Sequence, residues 1–368
     1  MKLVTYTLRP EKVDLQPAEV TAGLGPANLA GRVGVISGTL VFDLARAFEW
    51  ARGSAPLTLA PVLCEGGLPH TLLELLRLGG DVSASAPRAI GALTAALSVE
   101  RLLQMEPHLA YHWSDVRLLA PIPEPPSVRD FYAFEQHVKA ARAKRQLGMI
   151  PQWYEIPVFY FSNPAAINNP DDPILYPRET AWLDYELEIA CIIGKAGKDI
   201  PVEEAEEYIA GYTIMNDWSA RDLQRKEMVL NMGPTKGKDF ATSLGPWLVT
   251  PDELISKRSG AGKSARYDLP MLARVNGQEF SRGNAKDIYY SFPQLVAYAS
   301  LNSWLKPGDV IGSGTVGTGC LLELIPADLE DQVTGAGPIS REQPRWLQRG
   351  DVVELEIEGL GILKNTIT

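Results

Sequence analysis

Leu183-Asp184-Tyr185-Glu186-Leu187-Glu188-Ile189-Ala190-Cys191-Ile192-Ile193-Gly194 reads as a β-strand, rich in β-branched side chains and closed by a glycine. Side chains alternate across a strand. Asp184, Glu186 and Glu188 therefore share one face, and Tyr185, Leu187, Ile189 and Cys191 the other. Three carboxylates on one face repel each other and lose hydration if buried. A hard divalent cation removes both penalties, because Mg²⁺ and Ca²⁺ prefer carboxylate oxygen. The competing reading is an edge strand with a solvated acidic face, and the strand taken alone favours it by roughly two to one.

Bulk properties narrow the function classes. The chain has 368 residues, 45% hydrophobic and 22% charged, which supplies ample material for a core and for two domains or one large one. Its net charge of −10 argues against binding nucleic acid or an anionic membrane. No apolar run is long enough to suggest a transmembrane helix, and the first residues alternate like a strand rather than a signal peptide. Cys64, Cys191 and Cys320 lie far apart among apolar residues, as expected of reduced thiols in a cytoplasmic protein.

Residues 1–120 read as a small α/β unit. Strands are expected at Val4–Leu8, Gly34–Ile36 and Thr39–Asp43, with a tight turn at Ser37-Gly38 and helices at Leu44–Ala51, Leu72–Leu78 and Arg88–Gln104. His70, His108 and His112 fall here and receive no role. Four prolines in Pro121–Pro126 mark a linker. Beyond it, Ser127 is expected to cap a helix reaching about Arg145. That helix would place Tyr132 with Gln136, and Asp130 with His137, on shared faces. His137 is the sole histidine after residue 120 and so a candidate general base, with a structural core histidine as the equal alternative.

Pro151–Phe161 is aromatic-rich and fits either a ligand wall or a core strand. The strand Ala210–Met215 runs into Asn216-Asp217-Trp218-Ser219-Ala220-Arg221-Asp222-Leu223-Gln224. Asp217 closes that strand, and a following helix would align Arg221 and Gln224 with it, although an N-cap aspartate with a surface arginine is a real competitor. Gly233–Thr242 contains Gly237-Lys238-Asp239, which does not match a phosphate-binding loop. A glycine-rich run, Gly312–Gly319, precedes Cys320–Ile325, read as an apolar strand in which Glu323 needs a partner, His137 being the obvious one. The phrases Lys306-Pro-Gly-Asp-Val and Arg349-Gly-Asp-Val suggest repeated turn–strand units, and Gly350–Glu358 alternates as a half-exposed strand.

Asp130-Phe131-Tyr132 with His137, Asp184–Glu188, Met215–Gln224, Gly237-Lys238 with Thr242, Gly314-Thr315 and Leu322-Glu323-Leu324 occur in the order and near the spacing of the fumarylacetoacetate hydrolase family. Over about residues 120–368 the chain resembles that family, and Asp130-Phe-Tyr with His137 is most similar to its fumarylacetoacetase branch. The resemblance implies an α+β, β-rich fold: a catalytic domain of mixed β-roll or barrel form at 121–368 behind a small N-terminal α/β domain at 1–120, in a homodimer. It implies Asp130, Glu186, Glu188 and Asp217 as ligands of Mg²⁺, Ca²⁺ or Mn²⁺, with Lys238 and Thr242 near the metal. It further implies His137 and Glu323 as the catalytic pair, Arg221, Gln224 and Lys238 as stabilisers of developing negative charge, and Tyr132, Tyr160, Gln224 and Thr315 as substrate contacts. Met228 stands where fumarylacetoacetase carries a substrate-contacting tyrosine. The family's substrate-binding arginine has two candidate counterparts, Arg142 and Arg145.

The implied activity is metal-dependent hydrolysis of a carbon–carbon bond in a β-diketo acid such as fumarylacetoacetate, a step of aromatic amino acid breakdown. The alternatives are acylpyruvate hydrolysis, oxaloacetate-type decarboxylation, hydroxymuconate-type isomerisation, or a noncatalytic metal-stabilised binding protein. Asp184 has no counterpart among the family's roles and is expected to hydrogen-bond at the edge of the site, and its replacement is expected to be milder than that of Glu186 or Glu188.

Overall fold

The computed structural model describes residues 1–9, 31–54, 71–79, 82–105, 107–334 and 337–368. Cys64 and His70 lie outside them. The acidic strand sits in the middle of a twelve-stranded, mostly antiparallel sheet. Leu187–Ile193 pairs with Ile209–Asp217 on one side and Val310–Gly312 on the other. Beyond Val310–Gly312 come Val128–Phe131, joined in parallel, and Phe159–Ser162. Beyond Ile209–Asp217 come Thr242–Val249, Lys2–Leu8, Arg32–Ser37, Leu40–Asp43 and Ala110–His112. The path is open among the described residues and does not close as a barrel. A second, five-stranded sheet contains Pro270–Val275, Gln278–Asn284, Val352–Ile357 and Gly361–Ile367.

This position excludes a solvated edge. Every residue of Leu187–Ile193 is buried. Leu187, Ile189, Cys191 and Ile193 pack into one hydrophobic core, with Met271, Leu355 and Ile357 of the second sheet. Ala190 and Ile192 pack into another, with Leu3, Val35 and Phe42 from the N-terminal segment. Glu188 points toward the second side, so the strand's apolar majority drives its acids inward.

Several local expectations are corrected. Ser127 caps no helix. Val128–Phe131 is a strand, and the helix spans Glu135–Lys144. Pro125-Pro126 disfavours helix just upstream, and pairing with Val310–Gly312 satisfies the backbone of this segment. Asp130 therefore lies on a strand and His137 on the following helix, not together on one helical face. Cys320–Ile325 is not a strand either, since Leu321–Leu324 forms one helical turn. Asp184 accepts hydrogen bonds from the Leu321 and Leu322 amides at 2.8 and 3.0 Å, filling the N-terminal donors of that turn. Arg88–Gln104 divides into Val82–Ala96 and Val99–Gln104, the second capped by Ser98. The early hairpin turns at Gly38-Thr39, one residue later than expected, with Gly38 at φ 59°.

The two Gly-Asp-Val phrases do build the same device. Asp309 accepts from the Lys306 amide at 2.8 Å, and Asp351 from the Gln348 amide at 2.7 Å. In each, a glycine of φ near 90°, Gly308 or Gly350, makes the turn before a strand. Asp309 also takes the Ser127 hydroxyl at 2.8 Å and pairs with buried Arg129 at 3.4 Å, locking the strand that carries Asp130. Asp309→Ala leaves Arg129 buried without that carboxylate, so the expected cost is about 3–5 kcal/mol. Urea unfolding followed by tryptophan fluorescence measures it, and an unchanged midpoint would show that the pair contributes nothing.

Candidate metal centre and catalytic pair

Three strands of the large sheet, with Val310–Gly312 between the last two, bring four acids together. Asp217 closes Ile209–Asp217, Glu188 lies near the start of Leu187–Ile193, Glu186 immediately precedes it, and Asp130 sits on Val128–Phe131. One oxygen from each of Asp130, Glu186, Glu188 and Asp217 lies within 4.8 Å of the others, and all four residues are buried. The strand breaks at Tyr185-Glu186 because the Glu186 amide bonds the Asn216 side chain at 2.9 Å rather than a ladder carbonyl. That break turns Glu186 into the centre. Gly312 makes room for Asp130, since a Cβ there would stand 2.5 Å from its Oδ1. The Gly314 amide then donates to Asp130 Oδ1 at 3.2 Å and Glu188 Oε2 at 3.1 Å.

The charges are unbalanced. Burial pushes the Asp130 and Glu188 carboxyls well above the usual range, and neighbouring acids add to it: Asp217 acts on Asp130, while Asp130 and Glu186 act on Glu188. Burial also raises Asp217, against the pull of Lys238. For Glu186, burial is outweighed by Lys238 and Arg221, which hold it well below the usual range. Lys238 Nζ lies 2.5 Å from both Glu186 and Asp217. Arg221 pairs with Asp184 at 2.9 Å and Glu186 at 2.7 Å. Two side-chain cations thus face five carboxylates, and Asp217 Oδ1 is buried with no hydrogen-bond partner. An all-oxygen donor set with one orphaned oxygen fits a hard divalent cation. Asp130, Glu186, Glu188 and Asp217 would hold it.

Beside this centre, His137 Nδ1 lies 2.7 Å from Glu323 Oε1, both side chains 5% exposed. Glu323 Oε2 accepts from the Thr318 amide at 2.9 Å. Tyr132 stacks edge-on against the imidazole, with ring centroids 5.6 Å apart. Burial pushes the Tyr132 phenol up to about 12.

The other expected residues are placed unevenly. Tyr160 donates its hydroxyl to Asp217 Oδ2 at 2.5 Å, and Thr315 donates to Glu188 Oε1 at 3.4 Å. Thr242 is the ladder partner of Asp217, with its hydroxyl 3.4 Å from Ser162. Gln224 accepts from Arg221 Nη1 at 3.1 Å. Arg221 opens the helix Arg221–Met228 rather than following Asp217 on one, so its partners are Asp184 and Glu186. Met228 ends that helix, about 10 Å along its axis from Arg221. Among the described residues, Arg142 Nε donates to the Gly148 carbonyl at 2.5 Å, while no hydrogen bond or ion pair engages the Arg145 side chain.

Asp184 is more closely tied into the site than a hydrogen bond at its edge. It is fully buried and joins Arg221 to the helical turn that carries Glu323. Its alternation with Glu186 and Glu188 was the available signal. The strand break between them sends it to different partners.

A model of the family described as fumarylacetoacetate (FAA) hydrolase C-terminal matches residues 127–368. Fumarylacetoacetase of Oryza sativa subsp. japonica is 32% identical over 260 residues, covering 57% of this chain and 59% of that protein. The chain therefore spans less than two thirds of that relative. A mitochondrial oxaloacetate tautomerase of Xenopus laevis is 29% identical, covering 82% of this chain and 79% of its own. The structure of a fumarylacetoacetate hydrolase from Exiguobacterium antarcticum superposes with a TM-score of 0.63 at 25% identity, covering 100% of this chain and 99% of that one. With most of its length matched, this chain belongs to the fumarylacetoacetate hydrolase family.

Proposed function

We propose that the protein is a divalent-metal-dependent hydrolase that cleaves a carbon–carbon bond in a β-diketo acid of the fumarylacetoacetate type. The observation that carries this reading is the His137–Glu323 pair standing beside the four-carboxylate centre. A structural metal needs no such pair. A cation bound by Asp130, Glu186, Glu188 and Asp217 supplies Lewis-acid charge toward the two oxygens of a 1,3-diketone. Mg²⁺, Ca²⁺ and Mn²⁺ all suit the donor set.

His137 uses Nδ1 on Glu323, so Nε2 is the nitrogen free to take a proton from attacking water. Glu323 fixes the ring's tautomer and stabilises the imidazolium. Water oxygen bonds to one carbonyl carbon, the adjacent carbon–carbon bond breaks, and His137 returns its proton to the leaving carbon. Lys238 spends two of its three N–H donors on Glu186 and Asp217, leaving one for the oxygen on which charge grows. Arg221 is engaged by Asp184, Glu186 and Gln224, and serves as a fixed charge. Arg145, with its side chain unengaged and its charge felt by the Tyr132 phenol, suits the substrate's distal carboxylate better than Arg142 does.

The second reading is keto–enol isomerisation of a related acid. It draws on the oxaloacetate tautomerase, which covers more of this chain than the rice fumarylacetoacetase does. It needs proton transfer but no cleavage. Incubation with a panel of diketo acids, resolved by chromatography, separates the two. The expected result is two carboxylic acid products from one substrate, with His137→Ala reducing turnover by about 10²–10⁴-fold. Rearranged substrate of unchanged mass would favour the isomerase, and full turnover by His137→Ala would remove the base assignment.

Cation binding should stabilise the fold independently of turnover. At about 100 times its dissociation constant, Mg²⁺ is expected to add about 2.7 kcal/mol to unfolding, and Asp217→Asn to lose most of that gain. Calorimetric midpoints with and without EDTA test this, and identical midpoints would argue against the centre. Asp184 is now expected to matter more than its position on the strand suggested. Asp184→Asn should lower kcat by roughly 10²-fold through displaced Arg221, with Mg²⁺ stabilisation retained. Near-normal kcat would return Asp184 to a purely structural place.

A further inference from the structure

A second set of donors lies against the catalytic pair. Cys320 Sγ is 3.8 Å from Glu323 Oε1, the same oxygen that lies 2.7 Å from His137 Nδ1. One donor atom from each of His137, Cys320 and Glu323 lies within 4.8 Å of the other two. Cys320 is fully buried and free of any disulfide. Nitrogen, sulfur and oxygen in one cluster make a borderline-soft set, unlike the all-oxygen centre next to it. Tetrahedral Zn²⁺ with bonds of about 2.0–2.3 Å sets its donors about 3.3–3.6 Å apart, so shifts of about 1 Å would seat the ion.

We propose that His137, Cys320 and Glu323 form an inhibitory Zn²⁺ site, distinct from the carboxylate centre. The inference rests on His137 being the base. Its chemistry follows from the imidazole. Neutral imidazole carries one N–H, and in the working enzyme Nδ1 holds it against Glu323, leaving Nε2 with a lone pair. Zn²⁺ on Nδ1 needs the Nδ1 lone pair, so the proton moves to Nε2. The Cys320 thiol loses its proton to solvent as the Zn–S bond forms, and no electron is transferred. A protonated Nε2 accepts nothing from water, and Glu323 is drawn away from its orienting role. The ion stops catalysis without displacing the cation of the acidic centre. Cys320 takes no part in the hydrolysis itself. Burial and nearby Asp184 push its thiol well above the usual range, with Arg221 opposing, so without the ion it stays protonated.

The test uses full-length protein carrying Cys64→Ala, saturated with Mg²⁺, and titrated with Co²⁺ as a spectroscopic stand-in and with Zn²⁺ as inhibitor. A thiolate-to-cobalt charge-transfer band that saturates at one equivalent, is displaced by Zn²⁺, and disappears in Cys320→Ala and His137→Ala is the expected result. In Cys320→Ala, uninhibited turnover should be retained, and the Zn²⁺ concentration for half-inhibition should rise roughly tenfold or more. Absence of the band overturns the site. Equal Zn²⁺ sensitivity in Cys320→Ala overturns it too, because inhibition would then arise at the carboxylates. A band without inhibition overturns the coupling to the base. Inactivity of the untreated protein on every diketo acid would instead sink the proposed hydrolysis, while the cobalt band would still report the site.

Discussion

Burial of like charge is the constraint on which this fold turns. One oxygen from each of Asp130, Glu186, Glu188 and Asp217 lies within 4.8 Å of the others, and Asp184 is buried beside Arg221. Desolvation alone would neutralise such a group. The protein offsets it unevenly. Lys238 and Arg221 concentrate on Glu186, while Asp130 and Glu188 receive chiefly the Gly314 amide. The result is a gradient across a few ångströms, from a Glu186 carboxyl held below the usual range to Asp130 and Glu188 carboxyls pushed above it by burial. That asymmetry gathers the positive side chains on Glu186 and, among the described residues, leaves Asp130 and Glu188 without a side-chain cation paired to them.

Backbone irregularities make the gradient possible. Regular pairing through Tyr185-Glu186 would carry Asp184 and Glu186 along one straight face. The Asn216 side chain takes the Glu186 amide instead, and the chain resumes pairing at Leu183-Asp184 with Ser219-Ala220. Asp184 is thereby separated from the ligands and set under the helical turn of Glu323. One carboxylate then fixes both Arg221 and the helical turn that carries Glu323, the partner of His137. Gly312 and Gly314 contribute in a similar way, the first by yielding space to Asp130 and the second, at φ 79°, by aiming its amide at two acids. The glycine-rich run thus lets the protein approach its own carboxylates closely, which accounts for its composition without invoking a nucleotide.

Much of this was legible in the residues, though not the route by which they meet. Alternation in 183–194 marked the acids and their shared face, because the period of a strand is rigid. It could not say whether the face was wet, since that depends on Val310–Gly312, more than a hundred residues away, covering its other edge. Helical spacing suggested that Asp130 and His137, and Asp217 and Arg221, lie together. In each pair one residue lies on a strand and the other on a helix, so the shared helical face does not form, and Arg221 turns to Asp184 and Glu186 instead. Cys320–Ile325 misled because a short apolar run reads equally as strand or helix. The deciding feature, capping by Asp184, is a tertiary contact. The Gly-Asp-Val turns were legible because their chemistry is local: an aspartate closing on the amide three residues back, with glycine supplying the positive φ.

The two donor sets also bear on how an active site keeps its metals apart. Affinity alone does not exclude Zn²⁺ from carboxylates, since divalent ions later in the first transition row bind most sites more tightly. Charge and coordination number do more here. The acidic centre already holds an ammonium against Glu186 and Asp217, and four carboxylates suit a hard, oxygen-seeking ion. The His137–Cys320–Glu323 set offers three donors of mixed softness and suits a four-coordinate ion. A neighbouring thiol therefore draws zinc to the base rather than to the hard centre. Replacing that thiol by a hydroxyl or a methyl would leave the hydrolytic groups in place and remove the vulnerability. The choice of residue at 320 then sets metal tolerance separately from catalysis, because Sγ touches Glu323 and none of the four carboxylates that would hold the working ion.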